Sequence, residues 1–171
     1  MHNLFLTGKI QVGKSTILNN ALKELNISIG GYVTDRVYEG NYKRFIVKSL
    51  YDKFEEYTIL KVDMRDYSKE VFRDHFEKSI VSLLHKSLHD KDLIVLDELG
   101  CSEDNLDIFT AKVFELLDSE KIVFGILKDA ECKFLNDIRS RDDVTIIRVT
   151  EENRDYLLDD VLEIIRGWIK V

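Results

Sequence analysis

The segment at residues 8–15 constrains the fold of this chain more than any other feature. It reads Gly-Lys-Ile-Gln-Val-Gly-Lys-Ser, which fits the pattern of glycine, any four residues, glycine, lysine, then serine or threonine. The glycines allow backbone angles that turn several N–H groups toward one concave side, where they can surround phosphate oxygens. Such a loop needs a strand before it and a helix after it. Residues 3–7 have the composition of a short buried strand, and the apolar residues between 17 and 25 recur at helical spacing. The pattern therefore predicts a phosphate-binding loop.

Each part of this loop has a chemical task. The ammonium of Lys14 is expected to bridge the β- and γ-phosphates of a nucleotide, and the Ser15 hydroxyl is expected to bind Mg²⁺, which prefers hard oxygen ligands. The helix that starts near Lys14 adds its positive N-terminal dipole at the same point. The predicted nucleotide-binding residues are Gly8, Lys9, Ile10, Gln11, Val12, Gly13, Lys14, Ser15 and Thr16.

A second candidate region follows the apolar run at residues 93–96. This run ends in Asp97 and Glu98, and the carboxyl ends of strands are where open α/β sheets bind ligands. Asp97 is predicted to hold Mg²⁺, usually through a water molecule, and Glu98 is predicted to orient or deprotonate an attacking water. Without the loop at residues 8–15, a turn cap at Asp97 and a solvated Glu98 would explain the same pattern equally well.

Apolar strands alternate with helices along the chain, which predicts an α/β fold with a mainly parallel sheet covered on both sides. A β-hairpin is predicted after the first helix, with strands at residues 32–37 and 42–50, and a further strand at 57–62. Ser68 is interpreted as the N-cap of a long amphipathic helix that includes Val71 and Phe72. Later strands are predicted at 93–96, 122–127 and 145–149, and later helices near 106–117, 134–138 and 156–169. The length predicts a single domain over residues 1–171.

Composition excludes several classes of protein. The net charge of −7 and the scattered lysines and arginines argue against a nucleic-acid partner, which requires clustered cations. No apolar run approaches the roughly 20 residues of a membrane span, and the N-terminus has no signal-peptide pattern. Cys101 and Cys132 have neither metal-ligand spacing nor a disulfide framework, which predicts a reducing, cytoplasmic location. His85 and His89 lie four residues apart, but no further ligand is evident.

Four blocks of the sequence together resemble a known family, the small P-loop nucleoside-triphosphatases of the cancer-related nucleoside-triphosphatase type. The blocks are the loop at residues 8–16, Gly-Gly-Tyr-Val-Thr-Asp-Arg-Val at 30–37, Asp-Glu-Leu-Gly at 97–100, and Val-Thr-Glu-Glu-Asn-Arg-Asp at 149–155. They sample nearly the whole chain. The resemblance implies a three-layer, RecA-like P-loop NTPase fold and magnesium-dependent hydrolysis of ATP, GTP and other nucleoside triphosphates with little base preference. It also implies that Glu98 activates the attacking water.

The chain departs from the family pattern at three places. Arg44 runs directly into Phe45 where the family often has Gly-Phe, and residues 101–104 replace a Met-Glu-Leu stretch, so that only Glu103 keeps the acid. A histidine that the family often carries after the next strand is replaced near Lys128. These departures leave phosphate binding intact and put the turnover rate in question.

Two other functions remain compatible with the residues. The same loop serves nucleotide and metabolite kinases, in which residues 139–141 would belong to a mobile lid, although a glutamate directly after the strand aspartate favours water as the acceptor. A nucleotide-dependent switch or adaptor with slow turnover is the second alternative, and its protein partner is unknown. An arginine could also balance charge on the transferred phosphate, although a solvated or ion-paired position on the surface is the favoured interpretation for each candidate. The candidates are Arg36, Arg139, Arg141 and Arg154.

Overall fold

A sheet of eight strands forms the centre of the computed structural model, which describes residues 2–169. The strands are β1 (His2–Thr7), β2 (Ile29–Glu39), β3 (Tyr42–Ser49), β4 (Glu56–Asp63), β5 (Lys69–Val71), β6 (Leu93–Leu99), β7 (Ile122–Leu127) and β8 (Val144–Arg148). The helices are α1 (Lys14–Glu24), α2 (Val81–Asp90), α3 (Asp107–Leu117), α4 (Lys133–Arg139) and α5 (Leu157–Trp168). A π-helical turn at His75–Ile80 leads into α2, and a 3₁₀ turn follows β6 at Cys101–Glu103. Within this described part, no helix combines the length and the apolar character that a membrane crossing requires.

The strand order is β5-β4-β3-β2-β6-β7-β1-β8. The five strands from β2 to β8 in this order pair in parallel, whereas β3, β4 and β5 extend the sheet in antiparallel fashion from β2. Because β7 lies between β1 and β6, the loop after β1 and the end of β6 are separated by one strand at the same edge. This order confirms the predicted RecA-like sheet with an inserted hairpin.

Two apolar cores cover the two faces of the sheet. On one face α1 and α5 pack together through buried residues such as Leu18 and Ile165. On the other face α2 and α3 pack through buried residues such as Leu84 and Phe109. β7 is buried along its whole length, as expected for a parallel strand covered by helices on both sides. The predicted three-layer architecture is confirmed.

Two glycines allow β6 to pack closely against its neighbours. Gly31 has a φ of +79°, and a Cβ atom there would lie 2.1 Å from the Val95 carbonyl oxygen. A Cβ atom at Gly125 would lie 2.3 Å from the Leu96 carbonyl oxygen. A side chain at either position would push backbone against backbone. Glycine at both positions therefore lets β2 and β7 hold β6 between them, just before Asp97.

The predicted long helix from Ser68 is wrong in its first turns. Residues 69–71 form β5, where Val71 pairs with Leu60 of β4, and the Phe72 amide donates to the Ile59 carbonyl oxygen at 3.0 Å. The helix begins at residue 73. Pairing with the open edge of β4 prevailed over helical periodicity, because a β-strand edge offers unsatisfied backbone groups that only tertiary structure brings near.

The expectation for the two cysteines is also wrong. Cys101 and Cys132 form a disulfide with their Cα atoms 5.8 Å apart. Cys101 follows β6 and Cys132 precedes α4 after β7, and these two parallel strands are neighbours in the sheet. The carboxyl ends of adjacent parallel strands meet at the same edge, so residues that are 31 positions apart in sequence become close in space.

Candidate active site

The loop between β1 and α1 has the left-handed backbone angles that its sequence predicted. Gly8, Gln11 and Gly13 have φ values of +136°, +62° and +116°. A Cβ atom at Gly8 would lie 2.4 Å from the Val149 carbonyl oxygen, so no other residue fits there. Ser15 and Thr16, in the first turn of α1, are exposed. Within the loop, Ile10 is exposed and Val12 is buried in the core.

The Lys14 side chain lies across this loop. Its Nζ donates to the carbonyl oxygens of Gly8 at 2.7 Å and of Lys9 at 2.6 Å. Burial lowers the pKa of Lys14, the nearby carboxylate of Glu98 opposes that decrease, and the guanidinium of Arg36 adds to it. The charges of Glu98 and Arg36 therefore both act on the Lys14 ammonium.

Asp97 stands at the end of β6 and is almost completely buried, with 4% of its surface exposed. One carboxylate oxygen, Oδ2, accepts a hydrogen bond from the Thr34 amide at 2.8 Å, and the Asp97 carbonyl oxygen accepts one from Thr34 Oγ1 at 3.2 Å. The other oxygen, Oδ1, is buried and has no hydrogen-bond partner among residues 2–169. Burial raises the pKa of Asp97 to about 6. An unpaired buried carboxylate oxygen is costly, and it suits a hard cation.

Glu98 has an unusual backbone conformation for a residue with a side chain. Its φ is +61°, and the register between β6 and β7 shifts between Leu96 and Leu99. Irregularities of this kind re-aim side chains at the ends of strands. The Glu98 carboxylate forms an ion pair with Arg36 from β2 through Oε1, while Oε2 is buried without a partner in the described part of the chain.

Three charged residues near the site were missed or underrated in the sequence. Asp129, which follows β7, forms an ion pair with Arg148 and also counteracts the decrease in the Lys14 pKa. Glu103 is buried, and its Oε2 accepts a hydrogen bond from the Gly100 amide at 3.0 Å. Burial raises the pKa of Glu103 to about 7, although the ammonium of Lys128 opposes the increase. The sequence feature that could have identified Lys128 and Asp129 is their position directly after β7, and it is informative only once the strand order is known.

The four candidate arginines have different surroundings. Arg36 joins the site through Glu98, and the Cδ of Arg154 lies 3.7 Å from where a Gly13 Cβ atom would stand. Arg139 instead donates to the carbonyl oxygens of Lys128 and Ala130, and Arg141 forms ion pairs with Asp118 and Asp143. Arg36 therefore stands beside Glu98 and Arg154 beside Gly13 of the loop, whereas Arg139 and Arg141 hold other loops.

Comparison with known proteins identifies the family of this chain. A family model described as NTPase matches residues 3–162. The chain is 31% identical over 167 residues to the nucleoside-triphosphatase THEP1 of Thermotoga maritima, covering 95% of each chain. It is 26% identical over 184 residues to the human cancer-related nucleoside-triphosphatase, covering 96% of this chain and 97% of the human protein.

Two solved structures share the fold. The crystal structure of THEP1 from Aquifex aeolicus superposes with a TM-score of 0.77 at 20% identity, covering 95% of this chain and 98% of that one. The solution structure of the human cancer-related nucleoside triphosphatase superposes with a TM-score of 0.79 at 26% identity, covering 99% of this chain and 100% of that one. The family match over residues 3–162 and the 31% identity to THEP1 over 95% of both chains show that this protein belongs to the NTPase family of P-loop enzymes.

Proposed function

We propose that this enzyme hydrolyses nucleoside triphosphates, ATP and GTP among them, to the diphosphate and inorganic phosphate in the presence of Mg²⁺. The observation that carries the proposal is the position of the phosphate loop, which lies one strand away from the end of β6 at the same edge of the sheet. In that loop Gly8, Gln11 and Gly13 have positive φ values, and the buried Asp97 stands at that strand end. Little selectivity for the base is expected, because the chain has no Asn-Lys-x-Asp segment of the kind that reads guanine.

The loop at residues 8–16 would bind the phosphates. Its amides and the N-terminus of α1 favour an anion at this point. Lys14 at present donates to the carbonyl oxygens of Gly8 and Lys9. When a triphosphate binds, the Lys14 ammonium would exchange these neutral acceptors for phosphate oxygens, which are stronger hydrogen-bond partners because they are charged. Lys14 would thereby stabilise the charge that develops as the bond to the γ-phosphate loosens.

The residues at the site fit a magnesium ion. Mg²⁺ takes hard oxygen ligands and keeps several waters, so one or two protein oxygens are enough. The exposed hydroxyl of Ser15 and the unpaired Oδ1 of Asp97 would be those ligands. When bound, the ion would neutralise negative charge on the triphosphate. The Thr34 amide holds the other oxygen of Asp97, so that Oδ1 keeps its direction.

Glu98 would act on the attacking water. Its carboxylate lies within electrostatic range of Lys14 and has one oxygen, Oε2, without a hydrogen-bond partner among the described residues. A carboxylate in this position can accept the proton of a water molecule as that water attacks the γ-phosphorus. The products would be a nucleoside diphosphate, inorganic phosphate and a proton that Glu98 passes to solvent.

A phosphate-release assay with purified protein tests this function directly. ATP, GTP, CTP and UTP are compared with Mg²⁺ and with EDTA in its place. We expect release from all four triphosphates and none in EDTA. Glu98→Gln should cut turnover at least about 10²-fold, the lower end of the range for general-base catalysis, while nucleotide binding is kept. Glu39→Gln, an exposed glutamate paired with an arginine on the same hairpin, serves as the control and should keep full turnover.

Three results of the assay would contradict the proposal. Unchanged turnover in Glu98→Gln would remove that residue from the mechanism. Diversion of phosphate to an added nucleoside or monophosphate would make the protein a kinase, and release that starts only with a protein partner would make it a switch.

A cytoplasmic location belongs to the same proposal, because the substrates are concentrated there. A disulfide in that compartment is usually transient, so the Cys101–Cys132 bond would form and break with redox conditions.

A further inference from the structure

Arg36 and Glu98 form an ion pair directly beside the candidate phosphate site. The side chain of Arg36 is 32% exposed and that of Glu98 is 12% exposed. Only one guanidinium nitrogen, Nη2, contacts the carboxylate, and among residues 2–169 no other protein acceptor hydrogen-bonds to this guanidinium. Arginine has five N–H donors in a planar fork. Most of the donor capacity of Arg36 is therefore available for a further acceptor.

Glu98, the partner of Arg36, follows Asp97 in β6, which is separated from β1 and its phosphate loop by one strand. The charge of Arg36 depresses the pKa of Lys14, and it acts on Asp97 as well. Two cations within range of each other repel, and an anion located between them would relieve that repulsion. The ring of Phe45 lies under the guanidinium, with its centroid 5.7 Å from Cζ. The strand that carries Arg36 is in turn joined to β6 by the hydrogen bonds between Thr34 and Asp97.

We propose that Arg36 senses the γ-phosphate: it holds Glu98 while the site lacks a triphosphate and exchanges that carboxylate for the γ-phosphate when one binds. A terminal phosphate carries more negative charge than a carboxylate and accepts a planar guanidinium in bidentate geometry. Its arrival therefore competes for Arg36, and Glu98 is released to act on water. A nucleoside diphosphate lacks this phosphate and leaves the ion pair closed. The inference rests on the proposed function, because it concerns the same site.

The binding of a triphosphate relative to a diphosphate tests the proposal without turnover. Calorimetry measures the affinity of a non-hydrolysable β,γ-imido ATP analogue and of ADP, and their ratio reports the contribution of the γ-phosphate. Arg36→Ala should lower this ratio about 10- to 100-fold, the range for a hydrogen bond to a charged group, and change the ADP affinity by less than about twofold. Arg44→Ala is the matched control, because Arg44 is a similarly exposed arginine paired with a glutamate on the same hairpin. It should keep the wild-type ratio.

The Glu98→Gln variant adds a second arm. It weakens the competitor for Arg36, so the ratio should rise roughly fivefold, reflecting the weaker hold of a neutral partner. In the Arg36→Ala background the same change should have little effect, since there is no guanidinium to release. A double-mutant cycle of this kind separates competition from simple repulsion between Glu98 and phosphate. Repulsion would raise the ratio equally in both backgrounds.

Arg36→Lys keeps the test decisive if Arg36→Ala does not fold. Lysine supplies the charge without the planar fork, so it should restore part of the ratio, and Glu98→Gln should raise the ratio less in this background than in wild type.

A wild-type ratio in Arg36→Ala, or the same effect of Glu98→Gln in every background, would overturn the proposal. A wild-type protein that releases no phosphate would instead count against the proposed function. Active wild type with an unaltered ratio in Arg36→Ala would overturn only the role of Arg36.

Discussion

Replacing Asp97 by asparagine should make the ligand-free protein more stable at neutral pH while it destroys turnover. The Asp97 carboxylate is buried, and one of its oxygens has no partner among residues 2–169. Asparagine has nearly the same shape, and its amide oxygen can still accept the hydrogen bond from the Thr34 amide. The substitution therefore removes a buried charge and keeps the contact. The proposed role of Asp97 in holding a cation accounts for this cost in stability, because functional sites often sacrifice stability.

The pKa of Asp97 sets the size of the effect. Burial raises this pKa from 3.8 to about 6, and each pKa unit corresponds to about 1.4 kcal/mol of difference between the two protonation states. The folded state binds the proton more tightly than the unfolded state does. This contribution to stability is complete below pH 3.8 and is lost as the pH rises through about 6. Asp97→Asn should exceed wild type by about 3 kcal/mol at pH 7.5 and by roughly half as much at pH 5.

Urea unfolding followed by circular dichroism measures this difference in EDTA, at several pH values between 5 and 7.5. The comparison of the two proteins cancels the titration of Glu103, which both contain. Asp74→Asn is the control, because Asp74 is exposed and, among residues 2–169, its only ion pair is with Lys78 on its own helix. It should change stability by less than about 0.5 kcal/mol. A loss of stability in Asp97→Asn at pH 7.5, or a difference that does not shrink toward pH 5, would refute the reasoning.

Two further predictions concern the loop and the disulfide. Lys14→Ala should weaken triphosphate binding and lower phosphate release by about 10²- to 10³-fold, the usual loss when one stabilising donor is removed. The control is Lys23→Ala, which changes an exposed lysine on α1 and should leave phosphate release unchanged. A Lys14→Ala protein with wild-type phosphate release would contradict the role assigned to Lys14. Cys101→Ser should lower the unfolding free energy of the oxidised protein by about 4 kcal/mol, the value for a loop that closes 31 residues. Identical urea midpoints for oxidised and fully reduced wild type would show that the disulfide contributes nothing.

Local patterns were enough to predict the phosphate loop and the acidic strand end. The spacing of Gly8, Gly13 and Lys14 is a backbone requirement that acts within one loop, so it can be recognised in the sequence without knowledge of distant contacts. The apolar run before Asp97 likewise shows that the strand is buried and where it ends. Alternation of strands and helices predicted the class of fold, and the resemblance of four blocks to a known family supplied the RecA-like strand order.

The two sequence-based predictions that were wrong failed for a common reason. Residues 69–71 have helical periodicity, yet they form β5 because the edge of β4 is available to pair with them. Cys101 and Cys132 carry no local sign of a bond, and they meet because β6 and β7 are neighbours. In both cases the deciding partner lies far away in sequence, and local propensity cannot account for it.

The candidate phosphate and magnesium ligands were predicted from the sequence alone, because those residues lie within single segments of the chain. The position of Arg36 beside Glu98, which neither Arg139 nor Arg141 takes, follows from the folded chain, since it depends on the pairing of β2 with β6. The same holds for the high pKa of Asp97, which arises from burial between neighbouring strands. Electrostatic energies depend on distance and on exclusion of water, and both are properties of the packed fold.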